Sequence, residues 1–124
     1  MPSMKIARLW SSVIDGVPTL DVSLSRADVD APIDLMLHFL DGGSEVIRAS
    51  GLGEDWLFPN HPLVVPIGYR TDGVWIWSEE LAYYLKEHQI NPDEELLRHM
   101  VLSDYNAAQA SEQDLAEAEQ LLRG

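Results

Sequence analysis

The residues with which this chain could do chemistry are four histidines and three runs of adjacent carboxylates. The carboxylates stand at Glu54-Asp55, Glu79-Glu80 and Asp93-Glu94-Glu95, and the histidines at 38, 61, 88 and 99. Two neighbouring carboxylates form an acid–base pair only where burial or mutual repulsion raises one of their pKa values. Here the runs fall in a loop and in the first turns of expected helices, where water or the helix dipole keeps them ionised. No catalytic dyad is read from them. Glu95 and His99 lie four apart on an expected helix and could share a face, but a stable metal site takes three or four ligands. No metal and no cofactor are therefore expected. His88 is placed near a helix end, where its charged form suits the dipole. His38 is placed opposite an apolar stripe and His61 in a loop. There is no cysteine, which removes disulfides, thiol catalysis and thiolate metal sites together. A glycine-rich phosphate loop, a nucleophile elbow and a dinucleotide fingerprint are also absent. The reading leans to a protein without catalytic residues.

The elements that must position these groups follow from the apolar spacing. Residues 4–24 read as a hairpin, with Asp15-Gly16 between two apolar runs. Residues 31–41 read as a helix: Ile33, Met36, Leu37 and Leu40 keep its period, Asp30 caps it, Pro32 suits its first turn, and Gly42-Gly43 ends it in left-handed geometry. The competing reading pairs Leu35–Leu40 with Glu45–Ala49 as a hairpin. Residues 51–62 read as a loop, though an apolar one, with Leu52, Trp56, Leu57 and Phe58. Residues 63–77 read as a second hairpin. If Asp72-Gly73 forms its two-residue turn, Thr71 faces Val74, Arg70 faces Trp75, Tyr69 faces Ile76 and Gly68 faces Trp77. Arg70 then lies near Trp75, a contact worth about 0.5–1 kcal/mol when exposed.

Three further helices are expected: 78–89 capped by Ser78, 92–102 capped by Asn91, and 111–122 capped by Ser111. Leu81, Tyr84, Leu85 and His88 share one side of the first of these. The whole is expected to be a single α+β domain over residues 1–124, a small antiparallel sheet packed on about four helices. Trp75 and Trp77 point to one face of the second hairpin and Val74 and Ile76 to the other, so helices cover both faces or one face meets a partner. Tyr83 and Tyr84 are turned by about 100° from one another, so they are not both expected to be buried.

The chain has 124 residues, 46% of them hydrophobic, with 21 acidic residues against 8 basic ones and a net charge of -13. Such a charge repels nucleic acid and anionic membrane surfaces. Met1–Ser12 lacks the apolar core and cleavage site of a signal peptide, and no stretch approaches the roughly 20 apolar residues of a membrane span. A cytoplasmic protein is expected.

The stretch Tyr69-Arg-Thr-Asp-Gly-Val-Trp-Ile-Trp77, followed by Leu81-Ala-Tyr-Tyr-Leu85, Glu87-His88 and Pro92, resembles a family of small uncharacterised acidic bacterial proteins. Phe39-Leu40-x-Gly-Gly43 and Val46-Ile47-Arg48 fit the same pattern, which covers roughly residues 37–100. The resemblance brings no activity and no catalytic residue. By type rather than by motif, a short acidic domain of this kind is similar to immunity proteins of bacterial toxin systems.

These features point first to a non-enzymatic module that binds and neutralises a basic protein, such as a toxin, through an acidic surface. Residues 93–124 alone hold eight acids against Arg98 and Arg123. The candidate partner-binding residues are Glu54, Asp55, Trp56, Arg70, Asp72, Trp75, Tyr83, Asp93, Glu94 and Glu95. The alternative is a small enzyme or ligand-binding protein with an aromatic pocket near Arg70, Asp72, Trp75 and the Trp56 loop. A third reading is a structural homodimer through the tryptophan face.

Overall fold

A computed structural model of the chain describes residues 4–7, 10–14, 17–20, 31–47 and 51–123. Its centre is a four-stranded mixed sheet in the order β1-β8-β7-β4, formed by β1 (Lys5–Ala7), β4 (Ser44–Ile47), β7 (Tyr69–Thr71) and β8 (Trp75–Ser78). Two separate hairpins accompany it: β2 (Trp10–Ile14) with β3 (Val17–Leu20), and β5 (Leu52–Glu54) with β6 (Leu63–Pro66). The helices are α1 (Ile33–Gly42), α2 (Glu80–His88), α3 (Glu94–Leu102) and α4 (Glu112–Arg123). The expected α+β class holds. Among the described residues no helix is long and apolar enough to cross a membrane.

Residues 10–14 and 17–20 of the first expected hairpin do pair, with Ile14 opposite Val17, while the expected Asp15-Gly16 turn lies outside the described residues. Its first strand is shorter than expected. Residues 5–7 leave it and run parallel to β8, with Ile6 beside Ile76. The sheet is therefore mixed rather than antiparallel. The expected helix cap Asp30 also lies outside the described residues. The helix itself is present, which excludes the competing 35–49 hairpin. Residues 44–47 do form a strand, but it pairs with β7.

The expected 63–77 hairpin is two different pairings. Residues 63–66 join β5 inside the stretch read as a loop, and only 69–71 pair with β8. That second register also differs. Arg70 faces Trp77, Thr71 faces Ile76 and Tyr69 faces Ser78. The two-residue turn is Gly73-Val74, with Asp72 at its corner. Asp72 Oδ1 accepts the backbone N–H groups of Val74 (3.0 Å) and Trp75 (2.8 Å). Gly73 has φ +92° at the first central position, where this turn geometry favours glycine. The cation above Trp75 is Lys5, with Nζ 5.5 Å from the ring centre, and not Arg70.

Each helix end has a local cause. Ser78 Oγ accepts the Glu80 N–H at 3.1 Å, although Glu79 occupies the cap position itself. For α3 the cap is Asp93, accepting the Glu95 N–H at 2.8 Å, two residues later than Asn91. Ser111 and Asp114 exchange side-chain and backbone hydrogen bonds at 3.1 and 3.2 Å, a capping box that starts α4. Gly43 after α1 is extended (φ −68°, ψ 155°), not left-handed. Its glycine is needed for space: a Cβ there would stand 2.5 Å from Trp77 Cζ2.

Both faces of the sheet are covered. On one, Trp75 and Trp77 pack with Phe39 and Leu40 of α1, Leu81, Tyr84 and Leu85 of α2, and Leu96 and Met100 of α3. On the other, Ile76 and Met4 meet Ala118, with Leu121 and Leu122 alongside, so the apolar stripe of α4 closes that side. A fully buried side chain of leucine or phenylalanine size contributes about 1.5–3 kcal/mol. The Trp77 indole N–H also donates to the Leu40 carbonyl at 3.0 Å, which ties α1 to the central strand.

Candidate functional site

Asp55 follows β5 directly and is fully buried, contrary to the expectation that the Glu54-Asp55 run is solvated. One carboxylate oxygen accepts the Leu57 N–H at 2.9 Å. The other accepts the Tyr83 hydroxyl at 2.7 Å and stands 2.7 Å from His88 Nε2. Burial alone would raise the pKa of Asp55, but the His88, Tyr83 and Leu57 hydrogen bonds together outweigh it and hold the carboxyl below its ordinary value. An ionised carboxylate only accepts, so His88 Nε2 is the donor. Burial, then the bond to Asp55, pushes the Tyr83 hydroxyl well above the usual tyrosine value. Tyr84, also raised by burial, is pushed up to about 12. Its hydroxyl accepts the Trp56 N–H at 3.1 Å.

Aromatic rings complete this cluster. The His88 ring stacks on Tyr84 at 5.5 Å between centres, and the Phe58 ring lies 4.8 Å from it at a tilt. An Asp–His pair becomes catalytic when a nucleophile or a substrate proton meets the second ring nitrogen. Among the described residues no serine or threonine hydroxyl bonds to His88. The arrangement fastens the 55–62 segment to α2.

A second Asp–His pair does the same at the other hairpin. His99 Nε2 stands 2.6 Å from Asp72 Oδ2, so α3 is tied to the 72–75 turn. The Phe39 ring meets His99 edge-on at 5.8 Å. His99 therefore does not pair with Glu95, whose carboxylate bonds Lys5 Nζ at 3.1 Å. Among the described residues no group of three or more histidine, aspartate or glutamate side chains is placed to hold a metal ion.

The ten residues expected at a partner surface separate into two sets. Asp55, Asp72 and Trp75 are buried and engaged internally, so they do not form part of an exposed face. Arg70 is pinned, donating to the Gly43 carbonyl at 2.7 Å and lying 3.5 and 3.7 Å from Glu45 and Glu79. Tyr83 is half-buried and bound to Asp55. Glu54, Trp56 and Asp93 are half-exposed, and Glu94 and Glu95 are exposed. Arg70, Asp72, Trp75 and Trp56 line none of three clefts found between described residues. Those clefts lie beside Asp34 and Tyr105, beside Gly51 and Pro66, and between α1 and α2 around Tyr83. The tryptophan face suggested for a homodimer is covered by the chain's own helices.

The two histidines were the functional side chains that spacing misplaced. His88 already sits on the apolar side of α2 with Leu81, Tyr84 and Leu85. A histidine on a buried stripe requires a buried partner, and Asp55, set among Gly53, Trp56, Leu57 and Phe58, was the acid with apolar neighbours. No protein-family model, no curated protein and no solved structure matches this chain.

Proposed function

We propose that the chain is a non-enzymatic binding module that engages a basic protein, in the manner of an immunity protein neutralising a basic bacterial toxin. The observation that carries this reading is how the positive charges are used. Arg70 lies against Glu45 and Glu79, Arg98 against Glu94, Arg123 against Glu119, and Lys5 against Glu95. The guanidinium groups among the described residues are thus already satisfied by the chain's own acids. The net charge of the chain is -13, and although Asp55 and Asp72 are buried, much of the surplus acid stands at the surface. Exposed Asp34, Asp41, Glu87, Asp104, Glu112 and Glu117 are part of it. A field of this sign accelerates encounter with a cationic protein and repels polyanions. Individual surface pairs such as Arg98–Glu94 contribute little to stability, so the surplus acid is not explained by folding.

The test is co-expression with the product of the neighbouring gene, followed by titration of the isolated pair at rising salt. A complex whose affinity falls about tenfold or more between low and physiological salt is expected. A chain that purifies alone at low ionic strength, and binds no cationic protein there, overturns the reading.

A further inference from the structure

We infer that the β5–β6 hairpin, residues 51–66, is the face on which the basic partner docks, and that it recognises an apolar strip flanked by cationic side chains. This rests on the proposed function and names the surface that performs it. Of the large hydrophobic side chains exposed among the described residues, five sit on this one hairpin. They are Leu52 (52% exposed), Leu57 (38%), Phe58 (44%), Leu63 (63%) and Val64 (43%). Single exposed apolar residues mean nothing, but a concentration on one element marks a contact surface. The pairing explains the concentration. Gly53 faces Val65 and Glu54 faces Leu63, so Val64 is an extra residue in the ladder. Such a bulge sets two residues opposite one. Leu63 and Val64 both reach solvent there, while Val65 alone is buried.

The hairpin is also held still. Asp55 binds Tyr83, His88 and the Leu57 N–H, and Trp56 N–H donates to the Tyr84 hydroxyl. The Asp55 N–H closes the segment by donating to the Pro62 carbonyl at 2.9 Å. Holding a solvent-exposed apolar segment in one conformation removes the ordering cost that a flexible loop would incur on association. The buried Asp55–His88–Tyr83 cluster thereby acquires a role: it is the brace behind a binding face.

Charge decides the occupant. Two clefts that meet at Pro66 of the hairpin are lined by Asp41, Glu45, Glu79 and Glu87, with Lys86 as the cation among their lining residues. Arg70 lies against Glu45 and Glu79, so Asp41 and Glu87 supply the surplus acid there. Glu54 lies on the hairpin itself. An apolar centre with an acidic rim is complementary to an apolar strip with a basic rim. A second copy of the chain would bring the same acidic rim, and a further charge of -13, against its own.

The experiment uses two synthetic peptides of equal length and charge, one alternating valine with lysine and one alternating serine with lysine, titrated at low salt into the full chain. A double variant, Leu63→Ser with Val64→Ser, is measured beside it, with an unchanged thermal midpoint as the control for folding. The valine peptide is expected to bind about tenfold tighter than the serine peptide. Its amide shift changes should fall on residues 51–66, and the double variant should bind both peptides alike. Equal binding of the two peptides by the unaltered chain overturns this inference and leaves the acidic reading standing. Binding of neither peptide overturns both. Self-association of the unaltered chain that the double variant abolishes assigns the face to a second copy and overturns the basic partner.

Discussion

Asp55 shows how a single side chain can be read correctly by type and wrongly by place. Its carboxylate is held ionised out of water by three donors. A carboxyl whose folded pKa lies below its unfolded one adds stability that is complete above the unfolded value, near 4, and is lost as pH falls through the folded one. The urea midpoint should therefore drop on acidification below about pH 4, and Asp55→Asn should flatten that limb. At neutral pH the same variant should cost about 2–4 kcal/mol, because an amide presents an N–H to one of the three donors. An Asp55→Asn protein with the midpoint and the acid limb of the unaltered chain would contradict the brace. Tyr83 and Tyr84 act at the other end of the pH scale. Both keep their protons above the ordinary tyrosine value, so the folded state holds protons that the unfolded state releases above about pH 10. Stability should fall from there upward. Tyr83→Phe should reduce the fall and remove the latest-titrating component of the phenolate absorbance.

At the scale of elements, two glycines decide positions for opposite reasons. Gly43 has an ordinary φ, and its missing side chain leaves room for the Trp77 ring. Gly43→Ala should cost about 1–3 kcal/mol through overpacking against a rigid indole, measured by chemical denaturation. Gly73 matters through its φ of +92°, which a β-carbon opposes, and an added Cβ would stand 3.0 Å from Asp114 Oδ2. Gly73→Ala should cost more than about 1 kcal/mol and loosen the start of α4, where Asp114 completes the capping box. The end of α3 supplies the contrasting case. Asp104 takes a left-handed φ of 53° without glycine, because the Tyr105 N–H donates to the Met100 carbonyl and the Asp104 N–H to that of Val101. That pair of bonds is the Schellman closure, and aspartate tolerates the geometry better than most residues.

Across the whole molecule, the surplus of like charge is expected to oppose folding. With a net charge of -13, like charges crowd one another in the folded state more than in the extended chain. Raising salt from about 0.01 to 0.15 M shortens the screening length from about 30 to 8 Å. The thermal midpoint should rise over that range, while affinity for a cationic partner falls. A midpoint that declines with added salt would show that the internal pairs around Arg70 and Asp55 outweigh the surplus acid. The two responses have opposite signs, so one salt series separates folding electrostatics from binding electrostatics.

Local chemistry was enough to locate the four helices, the pairing of residues 10–14 with 17–20 and the class of the fold. Apolar spacing of 3.6, capping residues and Asp-Gly pairs act within a few neighbours and are written in the chain itself. What spacing could not supply was pairing across distance. It could not show that residues 5–7 join β8, that 63–66 turn back on 52–54, or that the second turn centres on Gly73-Val74. Those choices depend on which strands and helices bury the most surface together, and on where Asp72 finds its donors. For the same reason the acids at 55 and 72 passed for surface charge. Each becomes an internal fastener only once α2 and α3 bring a histidine to it, from 33 and 27 residues away.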